Sequence, residues 1–290
     1  VQVTFWGVRG SIPTPGDGTT RWGGNSSCVE VRHGELPPLV LDCGTGARAL
    51  GNKLIKDKAR RVHVLFTHLH VDHIFGFPFF TPLYGPGWDV NVGVPAYSVD
   101  EARERISRYL NGTFHPTRLR DVPSNLVFQA IMAGRPVEAG GFDVLPVRLN
   151  HPGGAMGYRI RADGHSFAYI TDTAPFARPG EGVAAGEPPT PAEQRLLDVL
   201  VGCDLVAYDT MYDYDEYIEK MTWGHSYPEY AIALCRAAGV KHLVLFHHLP
   251  DATDTDLDAR AARYAEVEGL VVTLAREGET LVVGASPSVG

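Results

Sequence analysis

The chain has 290 residues, 44% of them hydrophobic and 21% charged, an ordinary balance for a soluble globular protein that allows one large domain or two small ones. Its formal net charge of −8 lacks the basic footprint of a dedicated nucleic-acid binder and counts against long RNA or DNA as substrate. No apolar run reaches the roughly 18–20 residues that a membrane-spanning helix needs, no signal peptide is visible, and Val1 opens directly into a strand-like segment, so a cytoplasmic location is expected.

In chain order, residues 3–6, 28–31, 39–42 and 62–66 are short apolar or alternating runs between Gly, Pro and Asn signals, and strands are predicted there. Residues 47–56, behind a turn holding Gly44 and Gly46, have helical spacing. The densest basic run, 53–61, reads as a solvated helix end. Residues 77–87 form a loop rich in Pro and aromatics, 90–94 a strand, 99–110 a helix and 111–124 a loop. Strands follow at 127–131, 142–149, 156–161 and 166–170, with Asp163-Gly164 as the hairpin turn between the last two. A Gly/Pro/Ala-rich loop at 177–191 precedes a helix at 192–200 and a strand at 205–208. The helix at 228–238 opens on Pro228 and stops at Gly239. A strand at 242–246, a helix at 257–268 and strands at 271–274 and 280–283 close the chain, ahead of a short low-complexity tail at 286–290. Cys28, Cys43, Cys203 and Cys235 show no CxxC spacing and read as buried free thiols.

Strands come first, then strands interleaved with helices, twice over. That order predicts two mixed sheets face to face with helices outside. The fold class is α/β (α+β type), an αββα sandwich in one domain over 1–290 with two similar halves.

The stretch Phe66-Thr67-His68-Leu69-His70-Val71-Asp72-His73-Ile74-Phe75-Gly76 crowds costly side chains against a buried strand. An unpartnered buried imidazole or carboxylate costs several kcal/mol or shifts its pKa, and a metal removes that cost. On an extended segment His68 and His70 point the same way and can grip one ion. Asp72 and His73 follow as the chain turns toward a helix and can point at a second. Three further polar groups stand just past strand ends: His151 after 144–149, Asp172 after 166–170, and the pair His247-His248 after 242–246.

This HxHxDH…His…Asp…His pattern resembles the metallo-β-lactamase-fold hydrolases over nearly the whole chain. Leu39-Val40-Leu41-Asp42-Cys43-Gly44-Thr45-Gly46 resembles the strand and turn that precede the metal motif there. The resemblance implies that His68, His70 and His151 hold one metal and Asp72, His73 and His247 another, with Asp172 between them. His247 is preferred to His248 because it takes the first position after the strand. Two divalent ions are implied, with Zn first and Mn or Fe also compatible.

Within that superfamily, Asp209 at a strand end and Trp223-Gly224-His225-Ser226 before a helix resemble the ribonuclease Z and cyclic phosphodiesterase branch. There an acidic residue orients a histidine of a Gly-His-Ser/Thr loop. The implied reaction is hydrolysis of a small phosphodiester, with cyclic nucleotides preferred. A metal-bridging hydroxide attacks phosphorus, Asp72 handles its proton, and His225, oriented by Asp209, serves the leaving oxygen. The long tRNA-gripping arm of the common bacterial tRNA-processing enzymes is missing, since a plain hairpin fills the gap from His151 to Asp172.

Gly7-Val8-Arg9-Gly10-Ser11-Ile12-Pro13 and the segment 21–28 resemble a bacterial group of phosphodiesterase-like hydrolases; their glycines allow close backbone approach to the metal rim. Arg9 or Arg21 could meet phosphate or serve in salt bridges. Phe77, Phe79, Phe80, Tyr84, Phe114 and His115 could stack on a base, with core packing or an interface as the commoner use. A homodimer is expected from the resemblance, with no membrane and no stable nucleic-acid partner. The rivals are a tRNA 3′-processing endonuclease, a lactonase or β-lactamase-like hydrolase, and a non-catalytic metal-binding scaffold.

Overall fold

Strands whose residues are apolar on both faces need cover on both sides. In the computed structural model, which describes residues 1–284, two mixed seven-stranded sheets supply it. The tail read at 286–290 lies outside the described residues. The first sheet holds β1 (Gln2–Gly7), β2 (Cys28–Arg32), β3 (Leu39–Leu41), β4 (Arg61–Leu65), β5 (Asp89–Pro95) and β6 (Asn125–Ile131). The second holds β7 (Val137–Ala139), β8 (Phe142–Leu149), β9 (Ala155–Ala162), β10 (His165–Ile170), β11 (Leu205–Asp209), β12 (His242–Phe246) and β13 (Val271–Leu274). The last strand, β14 (Thr280–Val282), returns to the first sheet and pairs with β1. The helices are α1 (Ala47–Lys56), α2 (Val71–Ile74), α3 (Val99–Tyr109), α4 (Pro191–Leu200), α5 (Tyr214–Glu219), α6 (Pro228–Ala237) and α7 (Asp254–Arg263). This is the αββα sandwich that the element order predicts.

Each sheet is antiparallel at one side and parallel at the other, the parallel pairs running β3 to β6 and β10 to β13. Parallel neighbours need crossovers, and helices supply most of them: α1 enters before β4, α4 before β11, α6 before β12 and α7 before β13. Between the sheets, Phe5, Leu41, Tyr158, Phe167, Tyr169 and Phe246 pack in one core. The alternate residues Ala168, Ile170, Leu243 and Leu245 face the outer layer with residues of α4 and α6. Burial on both faces explains why 243–246 reads as an unbroken apolar run rather than an alternation. None of the helices among the described residues is long and apolar enough to cross a membrane. All four cysteines are buried and free.

Three elements depart from expectation. The strand β7 is absent from the sequence reading, because three residues at a sheet edge carry no periodicity. The helix α5 is also missed, although Asp213 and Glu216 form a capping box that announces it. The helix α7 begins at Asp254 rather than 257, because the Thr253 side chain caps the Asp256 amide, and it ends at Arg263 rather than 268.

Topology aims the polar groups. The strand β8 is antiparallel to β9, and β9 to β10, so β8 and β10 end at the same rim, as do the parallel β11 and β12. Just past β3, β10 and β12, Asp42, Asp172 and His247 adopt left-handed backbone, with φ of 59°, 54° and 64°. Non-glycine residues rarely take that conformation, and here it accompanies side chains directed into the rim.

Candidate metal centre

Three imidazoles meet at the end of β4. His68 Nε2 lies 2.9 Å from His70 Nδ1, and His151 Nε2 lies 3.0 Å from that same nitrogen. Asp172 Oδ2 stands 3.6 Å from His68 Nε2 and 3.8 Å from His151 Nε2. Burial pulls the His68 and His151 pKa values down, so both rings stay neutral, which is the ligating form.

A second group shares Asp172. His73 Nε2 is 3.0 Å and His247 Nε2 3.1 Å from Asp172 Oδ1. Both nitrogens also approach Asp72 Oδ2, at 3.2 and 3.3 Å. The two sets, His68/His70/His151/Asp172 and Asp72/His73/Asp172/His247, each bring one donor atom per residue into a common space. His248 stays apart: its Nε2 donates to the Ala275 carbonyl at 2.7 Å, and burial pulls its pKa down to about 3.

The donor set fits divalent cations. His73 Nε2 is fully buried and makes no hydrogen bond, although two carboxylates lie within 3.2 Å. It aims between them rather than at either. Burial opposes charge on His73, yet Asp172, Asp72 and Asp42 hold its pKa well above the usual value. Asp72 and Asp172 are held low, because nearby imidazoles outweigh burial. Carboxylates so placed call for positive charge at this point, and a mixed His/Asp set suits zinc.

Partners behind the cluster fix its rings. His73 Nδ1 donates to Asp42 Oδ2 at 2.7 Å. His68 Nδ1 lies 3.0 Å from Thr67 Oγ1, whose hydroxyl donates to Asp42 at 2.9 Å. Asp42 also takes the Tyr169 hydroxyl at 3.2 Å, so one buried carboxylate orients two rings. His151 Nδ1 donates to the Gly224 carbonyl at 2.9 Å. The Ser11 amide donates to Asp72 Oδ2 at 2.8 Å. The sequence reading gave no role to Asp42 or Ser11; the signal for Asp42 was its place at the end of a strand immediately before a Gly-rich turn. Gly10 packs on His247, as the glycine content of that segment suggests: a Cβ there would stand 2.6 Å from ring atoms Cε1 and Nδ1.

His225 sits over the cluster. Its Nδ1 donates to Asp209 Oδ2 at 2.9 Å, so the aspartate reaches and orients the ring. Asp209 is itself held by the Thr173 and Met211 amides. Burial lowers the His225 pKa, but Asp209 carries it up to about 9. A small cleft of about 250 Å³ opens here between Ser11, His70, Asp72, His151, Trp223 and His225.

Other candidates lie elsewhere. Arg9 is buried and donates to the carbonyls of Gly23, Leu249 and Ala252, tying the N-terminal loop down. Arg21 pairs with Asp258 at 2.6 Å. Both arginines therefore take the structural option rather than the phosphate one. Phe77 and Phe80 are core residues, while Phe79, Tyr84 and Phe114 are exposed, with Phe79 edge-on to His115 at 5.2 Å.

The family model described as "Beta-lactamase superfamily domain" matches residues 39–248. A ribonuclease Z of Picrophilus torridus is 22% identical over 88% of this chain and 88% of its own. The metallo-beta-lactamase fold protein YhfI of Bacillus subtilis superposes with a TM-score of 0.70 at 18% identity, covering 97% of this chain and 98% of that one. A diphosphatase of the PhnP family superposes with a TM-score of 0.66 at 16% identity, covering 97% of each chain. With this fold and these histidine and aspartate clusters, the chain belongs to the beta-lactamase superfamily, as a metal-dependent hydrolase of its metallo-β-lactamase-fold, ribonuclease Z-like branch.

Proposed function

We propose that this protein is a binuclear metal-dependent phosphodiesterase acting on small phosphodiesters, cyclic nucleotides among them. The observation that carries this reading is the Asp209-held His225 beside both donor groups. In it, His68, His70 and His151 hold one ion, Asp72, His73 and His247 the other, and Asp172 both. Bound there, two divalent ions, zinc first, would neutralise phosphoryl oxygens and supply a water-derived nucleophile at neutral pH.

The chain's own groups do the rest. With Nδ1 engaged by Asp209, His225 has Nε2 free for the cleft, and the Asp209 carboxylate favours the protonated ring. That proton can go to the leaving oxygen. Asp72, one oxygen fixed by the Ser11 amide, orients a donor site and can take the nucleophile's proton. The indole of Trp223, 63% exposed at the mouth, offers a face to a base.

Cleavage of RNA 3′ ends is a second reading, favoured by the ribonuclease Z relative. The small cleft, the plain β9–β10 hairpin and the net charge of −8 weigh toward small substrates. A cytoplasmic location, expected from the sequence's lack of a long apolar run, and a homodimer, expected from the resemblance, belong to the same reading. The test is the initial rate on bis(p-nitrophenyl) phosphate with Zn- or Mn-loaded protein. Metal-dependent turnover is expected; none, with both ions shown bound, transfers the chain to the ester and lactam hydrolases.

A further inference from the structure

Next to the metal cluster runs another groove, of about 510 Å³. Its walls come from the ends of β5 and β6 and the start of β9. Continuity with the cluster rests on two contacts. The Met156 amide donates to the Thr67 carbonyl at 2.9 Å, one residue from His68. A Cβ on Gly153 would stand 3.7 Å from His70 Nε2, the edge of that ring turned away from the cluster.

The lining is cationic in an acidic protein. Arg105, Arg135 and Arg148 line the groove, and among the described residues no Asp or Glu does. Arg105 is committed, donating to Glu101 at 2.7 Å and to the Pro95 carbonyl at 2.8 Å. Arg135 and Arg148 are exposed, and among the described residues neither has a carboxylate within 4.0 Å. Tyr97, also lining the groove, is 83% exposed, and among the described residues no aromatic ring stacks on it.

The Arg148 guanidinium would meet a Cβ on Gly154 at 3.3 Å. Gly153 and Gly154 are consecutive, so Arg148 and His70 are separated by on the order of 10 Å, about the reach of one nucleotide. Both glycines have left-handed backbone, with φ of 78° and 86°, so neither readily takes a side chain that would block the path between them. Unpaired guanidiniums beside an exposed aromatic ring form the chemistry that recognises a nucleotide phosphate.

We propose that this groove is a second-phosphate subsite and that the substrate is a dinucleotide phosphodiester carrying another phosphate about one nucleotide from the scissile one. This rests on the phosphodiesterase reading and narrows it, because a cyclic mononucleotide has one phosphate and leaves the groove empty. Arg148 and Arg135 take the second phosphate, and Tyr97 stacks the base beyond it.

The test compares the linear dinucleotide pApA with ApA, which lacks the 5′-phosphate, on metal-loaded protein. The wild type should favour pApA in kcat/KM by about tenfold or more, the worth of one charge-assisted contact. The Arg135→Ala/Arg148→Ala double variant should bring that ratio near one, and Arg148→Lys should keep part of it. Calorimetry gives a readout independent of turnover. Adenosine 3′,5′-bisphosphate should bind tighter than AMP, and the double variant should lose the difference. A ratio near one in the wild type, or a preference that the double variant leaves intact, overturns the subsite. If no phosphodiester is turned over but the bisphosphate preference stands and is lost in the variant, the subsite holds and the phosphodiesterase reading fails.

Discussion

Asp209 and His225 divide binding from chemistry. His225 joins Asp209 and His247 in a third cluster of possible donors, yet its Nδ1 is spent on Asp209, and it stands outside the two sets that share Asp172. His225→Ala is therefore expected to keep two ions per chain, read by elemental analysis, while kcat on a phosphodiester falls about 100-fold or more. Undiminished turnover would remove His225 from the mechanism. His151→Ala, by contrast, should lower the metal content itself. At this scale the residue types in HxHxDH were legible because their spacing is local. Asp42 was not, since its work is to orient His73 and, through Thr67, His68, and those contacts exist only after β3 and β4 pair.

At the scale of elements, strand ends and their turns place every donor. The run 242–246 was readable as a strand by its apolar residues, and at its end the structure brings His247 rather than His248 to Asp72 and Asp172. What the run did not carry was the backbone reversal at His247 or the loop that supports the ring. Gly10 provides that support, and a methyl there would collide with His247 and with the Met211 side chain. Gly10→Ala should displace His247, lower occupancy of the ion it shares with Asp72 and His73, and destabilise the fold by about 1–3 kcal/mol. Metal content and Tm, measured together, check this; a variant with wild-type values for both would show that the loop yields without moving the ring. The short α5 and β7 escaped sequence reading for a related reason. Elements of three to six residues carry less periodicity than their caps and neighbours do.

The whole molecule puts the cluster where its two sheets meet. His68, His70, Asp72 and His73 follow a strand of the first sheet, whereas His151, Asp172 and His247 follow strands of the second. Bound ions would thus cross-link the halves. With free metal about 100-fold above its Kd, each site contributes about 2.7 kcal/mol, so chelation should lower Tm by roughly 5–10 °C per ion lost. Scanning calorimetry of metal-loaded and chelated protein measures the shift, and an unmoved Tm would mean that the cluster holds no ion in the folded state.

By itself the sequence determined the sandwich and the chemical type of each donor. Strand and helix patterns are short-range, and a buried histidine or aspartate demands a partner wherever it lies. Only the tertiary structure decided which donors share a space. Asp72 and His247 are 175 positions apart in the chain and 3.3 Å apart in the fold. The same holds for the arginine groove. Arg135 and Arg148 are unremarkable surface residues in sequence; the β7–β8 pairing sets them near one another, and only the meeting of the two sheets adds Tyr97, just past β5, to the same groove. Proximity of that kind is set by sheet packing and crossover topology, which depend on every element at once and leave no trace in local spacing.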